Sequence, residues 1–295
     1  MKKTHRRKRL ALLLLAFIAG IIIVNVIVRQ IRDSVWDGIH HLNMAVDNGD
    51  IEVWSIEPSS KHIFRLLVPQ NMYLDIPSYG AYRAAAVGKL SLLEQKDGSL
   101  LGSGLSQTLA VPIDAVVVRR EGREDNFSPT STFWLGEIQG RVTNFTSFDL
   151  LRLWFFFLSV KKESIETINL AQADAVFQEV LPDQTERLKI DSSRFSKLAK
   201  KYFTDISIEK EGLTIEIING TSQEGTANSL ALLLTNIGAS VINTSRGENR
   251  SQTEIFTKSR GYTVSKIAYI TSGKIYHDLP KDSRADILVI LGEDK

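Results

Sequence analysis

The sequence contains no cysteine, and this absence excludes two classes of protein. A small secreted scaffold held by disulfides needs paired cysteines, and a thiolate metal site needs cysteine ligands. The few histidines do not show the spacing of a metal site either, and no carboxylate cluster accompanies them; they are His5, His40, His41, His62 and His277. We therefore predict neither a metal site nor a cofactor.

The sequence also lacks a large excess of charge of one sign, because it contains 36 Lys and Arg and 34 Asp and Glu. Nucleic-acid-binding domains usually concentrate basic residues, so the balance predicts no nucleic-acid partner. The nucleophile motif G-x-S-x-G of hydrolases is absent as well.

A long apolar run is present near the start of the sequence. Residues Leu10 to Val28 are apolar except for Asn25, and nineteen residues of helix span about 28 Å, close to a bilayer core. A cleaved signal peptide has a shorter core and a small-x-small site, which RQIRDSVW after the run does not offer. We expect an uncleaved anchor in membrane lipid, with the basic tail 1–9 in the cytoplasm and everything after Val28 outside.

A second apolar stretch, Ser147 to Val160, is too short to span a membrane and contains Asp149 and Arg152. Its pattern favours a buried helix that starts near Ser147. An exposed aromatic surface at 154–157 that touches lipid or a partner is the alternative.

The remaining sequence predicts an α/β protein, with α+β character in the middle. The runs 50–58 and 62–69 indicate a hairpin, 80–95 a helix and 112–120 a strand, whereas 96–104 is typical of a loop. Strands and helices alternate regularly in the last part of the chain, which is typical of a compact α/β domain. The expected units are a tail (1–9), an anchor (10–28), a spacer (29–43), a first domain (44–205) and a C-terminal domain (211–295).

The C-terminal domain opens with a glycine-bearing turn between a strand and a helix, INGTSQEGTA. A phosphate-binding P-loop needs G-x-x-x-x-G-K-[ST], but Thr226 and Ala227 follow Gly225. The turn therefore favours a structural role, with Thr221 or Ser222 capping the helix. Anion or glycan contact by Asn219, Gly220, Thr221 and Gly225 at the helix N-terminus is the alternative.

Residues 211–295 resemble the C-terminal domain of LytR-type bacterial envelope proteins. The resemblance rests on Asn219-Gly220-Thr221, Gly225, Ala227, Gly238 and the ending Leu291-Gly292-Glu293-Asp294. That domain is an accessory module, and the resemblance implies no catalytic residues.

Residues 45–160 resemble the catalytic domain of LytR-CpsA-Psr proteins, through SIEPSSKHIFRLLVPQNMYLDIP, GAYRAAAVGKL and LAVPIDAVVVRR. Those proteins transfer lipid-pyrophosphate-linked glycopolymers onto peptidoglycan. Where the family pattern has Ile-Pro-Arg-Asp, this chain reads Val68-Pro69-Gln70-Asn71. Two charges suited to phosphate and Mg²⁺ are thus replaced by amides.

These observations lead to two hypotheses. The first is a non-catalytic, membrane-anchored protein of the cell envelope that binds cell-wall glycopolymer or an envelope partner. The second is a Mg²⁺-dependent phosphotransferase whose phosphate ligands are Arg83, Lys89, Arg119 and Arg120. The ligand-binding candidates are Arg83, Arg119 and Arg120 together with the turn residues.

Overall fold

A computed structural model describes residues 2–119, 140–180, 184, 186–281 and 283–294. The chain begins with helix α1 (Lys2–Arg32). Its stretch Leu13–Arg32 has a mean hydropathy of 2.3 and is long and apolar enough to cross a membrane, as either a signal anchor or a signal peptide. The amide of Asn25 donates to the carbonyl of Ile21 (3.1 Å), so the polar side chain within the apolar run is paired inside the helix.

The first domain is built on a mixed six-stranded sheet. Its strands are β1 (Leu42–Asp47), β2 (Ile51–Glu57), β3 (His62–Val68), β6 (Ala115–Arg119), β7 (Arg141–Thr143) and β8 (Ile165–Asn169). The order is β7-β6-β1-β2-β3-β8, and β2 and β7 run antiparallel to their neighbours. Strands β1, β3 and β6 are therefore parallel, and their carboxyl ends share one edge. The predicted hairpin is confirmed as β2 and β3.

Two small hairpins accompany the central sheet. They consist of β4 (Tyr73–Ile76) with β5 (Gly80–Arg83), and β9 (Val176–Val180) with β10 (Glu186–Ile190).

Apolar side chains alternate along the strands and create a core on each face of the sheet. Ala45 belongs to one core, whereas its neighbours Met44 and Val46 belong to the other. The first core is covered by α2 (Ala84–Leu93), α3 (Ser99–Leu109) and α5 (Ser192–Tyr202). The second is covered by α4 (Ser147–Ser159) and by Trp36, so part of the predicted spacer is packed against the domain.

The C-terminal domain holds a five-stranded sheet of order β12-β11-β15-β13-β14. Its elements are α6 (Ile206–Glu211), β11 (Thr214–Asn219), α7 (Thr226–Asn236), β12 (Ser240–Arg246), β13 (Glu254–Thr257), α8 (Tyr262–Thr271), β14 (Lys274–Tyr276) and β15 (Ile287–Leu291). Strand β13 pairs antiparallel with β15, and the other pairings are parallel. The chain is thus an α/β protein with mixed sheets, as predicted.

Two local predictions were wrong. The loop expected at 96–104 is largely helix α3, because the apolar residues Leu100, Leu101 and Leu105 pack into the core. The helix expected from Gly80 starts only at Ala84, because Gly80–Arg83 pairs with Tyr73–Ile76.

The two domains are joined by a buried ion pair. The Nζ atom of Lys266 on α8 lies 2.6 Å from Oδ1 of Asp114, and both side chains are almost fully buried. Oδ2 of Asp114 accepts the backbone N–H of Asn43 (3.0 Å), and the amide of Asn236 donates to the carbonyl of Ala110 (2.9 Å). The first domain and the C-terminal domain are therefore linked by specific polar contacts.

Candidate ligand site at the end of the central sheet

The carboxyl ends of β1, β3 and β6 bring polar residues to one edge of the sheet. Asp47 ends β1, Gln70 follows β3, and Arg119 ends β6. The first turn of α2 borders the same edge, because the N–H of Ala85 donates to the carbonyl of Gln70 (3.2 Å). In α/β sheets, ligands bind outside the carboxyl ends of the strands, and a helix N-terminus there favours an anion. We call the residues Asp47, Asp50, Gln70 and Arg119 the sheet-end cluster.

Asp47 is the most enclosed acid of the cluster. Its Oδ2 atom lies against α2, so close that a Cβ on Gly88 would stand 1.9 Å from it. Its Oδ1 accepts the N–H of Gly49 (3.1 Å). Burial raises the pKa of Asp47 above its ordinary value of 3.8, although the Gly49 N–H and the charge of Arg119 act in the opposite direction. Burial therefore makes the carboxyl group of Asp47 keep its proton to a higher pH than an exposed aspartate does.

Gln70 is held by two acceptors. Its Nε2 donates to the carbonyl of Gly49 (2.8 Å) and to Oδ1 of Asp50 (3.1 Å). The amide thus ties the end of β3 to the turn between β1 and β2, a role that a neutral donor can fill without a counter-ion.

The predicted arginines lie on different elements. A terminal nitrogen of Arg119 lies 3.1 Å from the position of a Cβ on Gly49. Arg83, at the N-cap position of α2, is exposed, and its guanidinium lies 3.3 Å from the hydroxyl of Tyr73 and 5.9 Å from the centre of that ring. Arg119 thus belongs to the cluster, whereas Arg83 contacts Tyr73 beside the start of α2. Arg120 lies outside the described residues.

Asp47 and Asp50 were not among the residues singled out from the sequence. The pattern D-x-x-D directly after an apolar run of strand length could have drawn attention to them. Across the described part of the chain, no group of three or more His, Asp or Glu side chains is arranged to hold a metal ion. The cluster instead combines two carboxylates, an amide and one arginine next to a helix start, which suits a ligand with both anionic groups and hydrogen-bond donors.

The turn of the C-terminal domain, the second predicted site, uses much of its polarity internally. The buried side chain of Asn219 donates to the carbonyl of Gln223 (2.8 Å) and accepts the N–H of Thr221 (3.0 Å). Gly220 leaves no room for a side chain, because an added Cβ would lie 2.6 Å from the carbonyl oxygen of Leu291. These contacts fold the turn itself.

The helix after this turn starts three or four positions later than a cap by Ser222 or Thr221 would place it. Gly225, at φ +82°, is the N-cap of α7 and provides no side-chain cap, so the expected cap by Thr221 or Ser222 was wrong. A shallow cavity of about 300 Å³ lies beside the turn, lined by Asn219, Gly225, Asn228 and Arg246 among others. Ligand contact by the four turn residues stays a prediction.

The acidic chain end closes the same side of the domain. Oε1 of Glu293 accepts the N–H of Ser222 (2.6 Å), and the carboxylate of Asp294 accepts the N–H of Thr253 (3.0 Å). A side chain at Gly292 would overlap the backbone of Gln252, with its Cβ 2.3 Å from the carbonyl carbon. The Gly-Glu-Asp ending therefore has a structural function.

Neither a family model nor a curated protein matches this sequence. Solved structures of LytR-CpsA-Psr proteins are similar to part of this chain. TagT of Bacillus subtilis is 12% identical, with 57% of this chain and 91% of that chain covered and a TM-score of 0.40. TagV of B. subtilis is also 12% identical, with 57% and 97% covered and a TM-score of 0.40.

A further structure is described as the LytR-CPS2A-psr family protein YwtF (TagT) with bound octaprenyl pyrophosphate lipid. It is 13% identical, with 57% of this chain and 91% of that chain covered and a TM-score of 0.39. The similarity is therefore distant and extends over about half of this chain.

Proposed function

We propose that this protein is a membrane-anchored protein of the cell envelope that binds a pyrophosphate-linked or polyanionic glycopolymer without turning it over. The segment 10–28 is the anchor, the basic tail is cytoplasmic, and both folded domains are outside. The C-terminal domain acts as an accessory module of the LytR type.

The position of Gln70 is the observation that carries the non-catalytic assignment. The resemblance implies an arginine here, but the chain has an amide that donates to the carbonyl of Gly49 and to Asp50. The side chain at this position therefore stabilises the turn after β1 and adds no positive charge. The proposed phosphate ligands are the side chains of Arg119 and Arg83 and the N-terminus of α2.

Binding can be tested with octaprenyl pyrophosphate as the probe and the full chain in phospholipid nanodiscs. Losing a charge-assisted hydrogen bond typically costs about 1.5–3 kcal/mol, so Arg119→Ala should weaken binding roughly tenfold or more. Arg284→Ala is the control for loss of a positive charge, because Arg284 is exposed and lies in the C-terminal domain. If wild type and Arg119→Ala bind octaprenyl pyrophosphate with equal affinity, the sheet-end cluster is excluded as the binding site.

A phosphotransferase is the second candidate, and the two acids Asp47 and Asp50 favour it. Carboxylates are the ligands that Mg²⁺ prefers; Asp47 lies near the charge of Arg119, and Asp50 accepts a hydrogen bond from Gln70 in the same cluster. Under this candidate, with Mg²⁺ present, a hydroxyl of peptidoglycan would attack the phosphorus that carries the glycopolymer, the pyrophosphate bond would break, and lipid phosphate would leave. The lipid release would disappear in Asp47→Asn and in Arg119→Ala.

A further inference from the structure

Helix α4 has two apolar faces, and the central sheet buries only one of them. Leu150, Leu153 and Phe157 are buried in the core. On the other side, Leu151 is 37% exposed, Phe155 58% and Leu158 56%. These three residues follow each other at spacings of four and three, so they form one stripe along the helix surface. We call Leu151, Phe155 and Leu158 the α4 stripe.

The start of α4 is tied to the end of the apolar helix α1. The backbone N–H of Ser147 donates to Oε1 of Gln30 (3.0 Å), within the last turn of α1. The guanidinium of Arg152 donates to Oγ of Ser34 (3.1 Å) and to the carbonyl of Trp36 (2.5 Å). The position of α4 is therefore fixed relative to the segment that leaves the membrane.

A buried carboxylate strengthens this connection. Asp149 is fully buried, and its oxygens accept the N–H groups of Val35 and Trp36 (both 3.1 Å) and the hydroxyl of Ser34. The same carboxylate accepts the N–H of Thr146 (2.9 Å) and so completes the capping box of α4. One acid thus caps α4 and binds the three residues that follow the last turn of α1.

The distance from the bilayer follows from the helix rise. Arg29 and Arg32 end the apolar run and belong at the level of the lipid headgroups. Phe155 lies eight positions after Ser147, so it is at most about 12 Å along the helix axis from the contact with Gln30. The interfacial layer on each side of the hydrocarbon core is several ångströms thick, and a helix lying flat would bring the whole stripe into it.

We propose that the α4 stripe rests in the interfacial layer of the membrane that holds α1. The half-buried Trp154 adjoins the stripe, with its ring 4.9 Å from that of Phe155, and tryptophan is enriched at this depth of the bilayer. The exposed Lys161 and Lys162 follow the helix and face anionic headgroups. This proposal rests on the anchor of the proposed function and extends it: the first domain lies on the membrane in a fixed orientation.

The absence of cysteine from the chain allows a direct test. Single cysteines replace Phe155, Leu158, Val24 and Leu93 in the full chain, and each carries a fluorescent probe in phospholipid vesicles. Val24 lies in α1 and reports on the anchor. Leu93 is the matched control, because it is an apolar residue with 70% exposure on α2, which covers the opposite face of the sheet.

Nitroxide attached high on the lipid acyl chain should quench the probes at 155 and 158 at least threefold more than the probe at 93. Aqueous iodide should show the reverse order. If both probes in the stripe respond like the one at 93, the stripe is in water and the proposal is wrong, while the anchor stands. Protection of both probes from both quenchers would mean that a protein covers the stripe, which also overturns the proposal. An unquenched probe at 24 would refute the anchor and this proposal together, whereas binding of pyrophosphate is measured separately.

Discussion

The carboxylate of Asp47 occupies the space that a side chain at Gly88 would fill. A Cβ on Gly88 would lie 1.9 Å from Oδ2 of Asp47 and 3.1 Å from its Cγ. Helix α2 can therefore approach the end of β1 only because position 88 lacks a side chain. This contact sets the helix N-terminus beside the sheet-end cluster, and it links the packing of the first domain to its candidate ligand site.

Gly88→Ala should destabilise the first domain, because the added methyl group would displace the carboxylate of Asp47 from its place against α2. Overpacking of this kind typically costs about 1–3 kcal/mol, measured by urea denaturation. The double variant Asp47→Ala/Gly88→Ala removes the clash, so a double-mutant cycle should give a coupling of about 1 kcal/mol or more. Strictly additive losses would contradict the contact.

Asp47→Asn should stabilise the protein at neutral pH. Burial raises the pKa of Asp47 above 3.8, so the folded state binds this proton more tightly than the unfolded state. The favourable contribution of the protonated acid is complete below 3.8 and is lost as the pH rises through the folded pKa. The melting temperature of Asp47→Asn should therefore exceed that of the wild type at pH 7, and the difference should shrink towards pH 3. A constant difference across this range would refute the account.

Glu211 should stabilise the C-terminal domain as a cap supplied by a neighbouring helix. Its carboxylate accepts the N–H groups of Tyr262 (2.7 Å) and Thr263 (2.9 Å) at the start of α8, where Gly261 offers no side chain. Loss of a cap usually costs about 1 kcal/mol, which is the loss of unfolding free energy expected for Glu211→Ala. Glu209→Ala on the same helix is the control and should change little.

The stabilisation by the Glu211 cap should also depend on pH. Desolvation alone would raise the pKa of Glu211, but the hydrogen bonds from Thr263 and Tyr262 outweigh it and hold the pKa below its ordinary value of 4.5. The stabilisation is therefore present above 4.5 and is lost as the pH falls through the folded pKa. The difference in unfolding free energy between wild type and Glu211→Ala should disappear in that pH range. A difference that grows in acid would exclude the cap.

Lys266→Met should weaken the attachment of the C-terminal domain to the first domain. The substitution leaves the buried Asp114 without its cationic partner, and breaking a buried pair from one side costs about 3–5 kcal/mol. Hydrogen exchange should accelerate in α8 and at the start of β6. Lys258→Met, at an exposed position of the same domain, is the control. Unchanged exchange in Lys266→Met would show that the pair does not hold the domains together.

The sequence predicted those parts of the fold in which local pattern and packing agree. The β2–β3 hairpin followed from apolar spacing, and the start of α4 at Ser147 followed from residue type. The sequence did not predict elements whose conformation depends on tertiary contacts. Helix α3 is an example, because its Gly102 and Gly104 pack close to Val116 and Ile76.

The candidate site was only partly predictable from the sequence for the same reason. Arg119 and Gln70 could be selected by residue type, but their proximity at Gly49 depends on which strands are parallel. Asp47 was missed because its importance comes from the contact with Gly88, which is remote along the chain.

The central claim is that the sheet-end cluster binds pyrophosphate-linked polymer without turning it over. The most direct measurement follows a radiolabelled lipid-pyrophosphate-linked glycopolymer in vesicles that carry the full chain, with Mg²⁺ and peptidoglycan present. Wild-type protein should retain the intact labelled polymer, and no free lipid product should accumulate. Arg119→Ala should not retain the polymer. Release of lipid by the wild type, abolished in Asp47→Asn and Arg119→Ala, would contradict this claim.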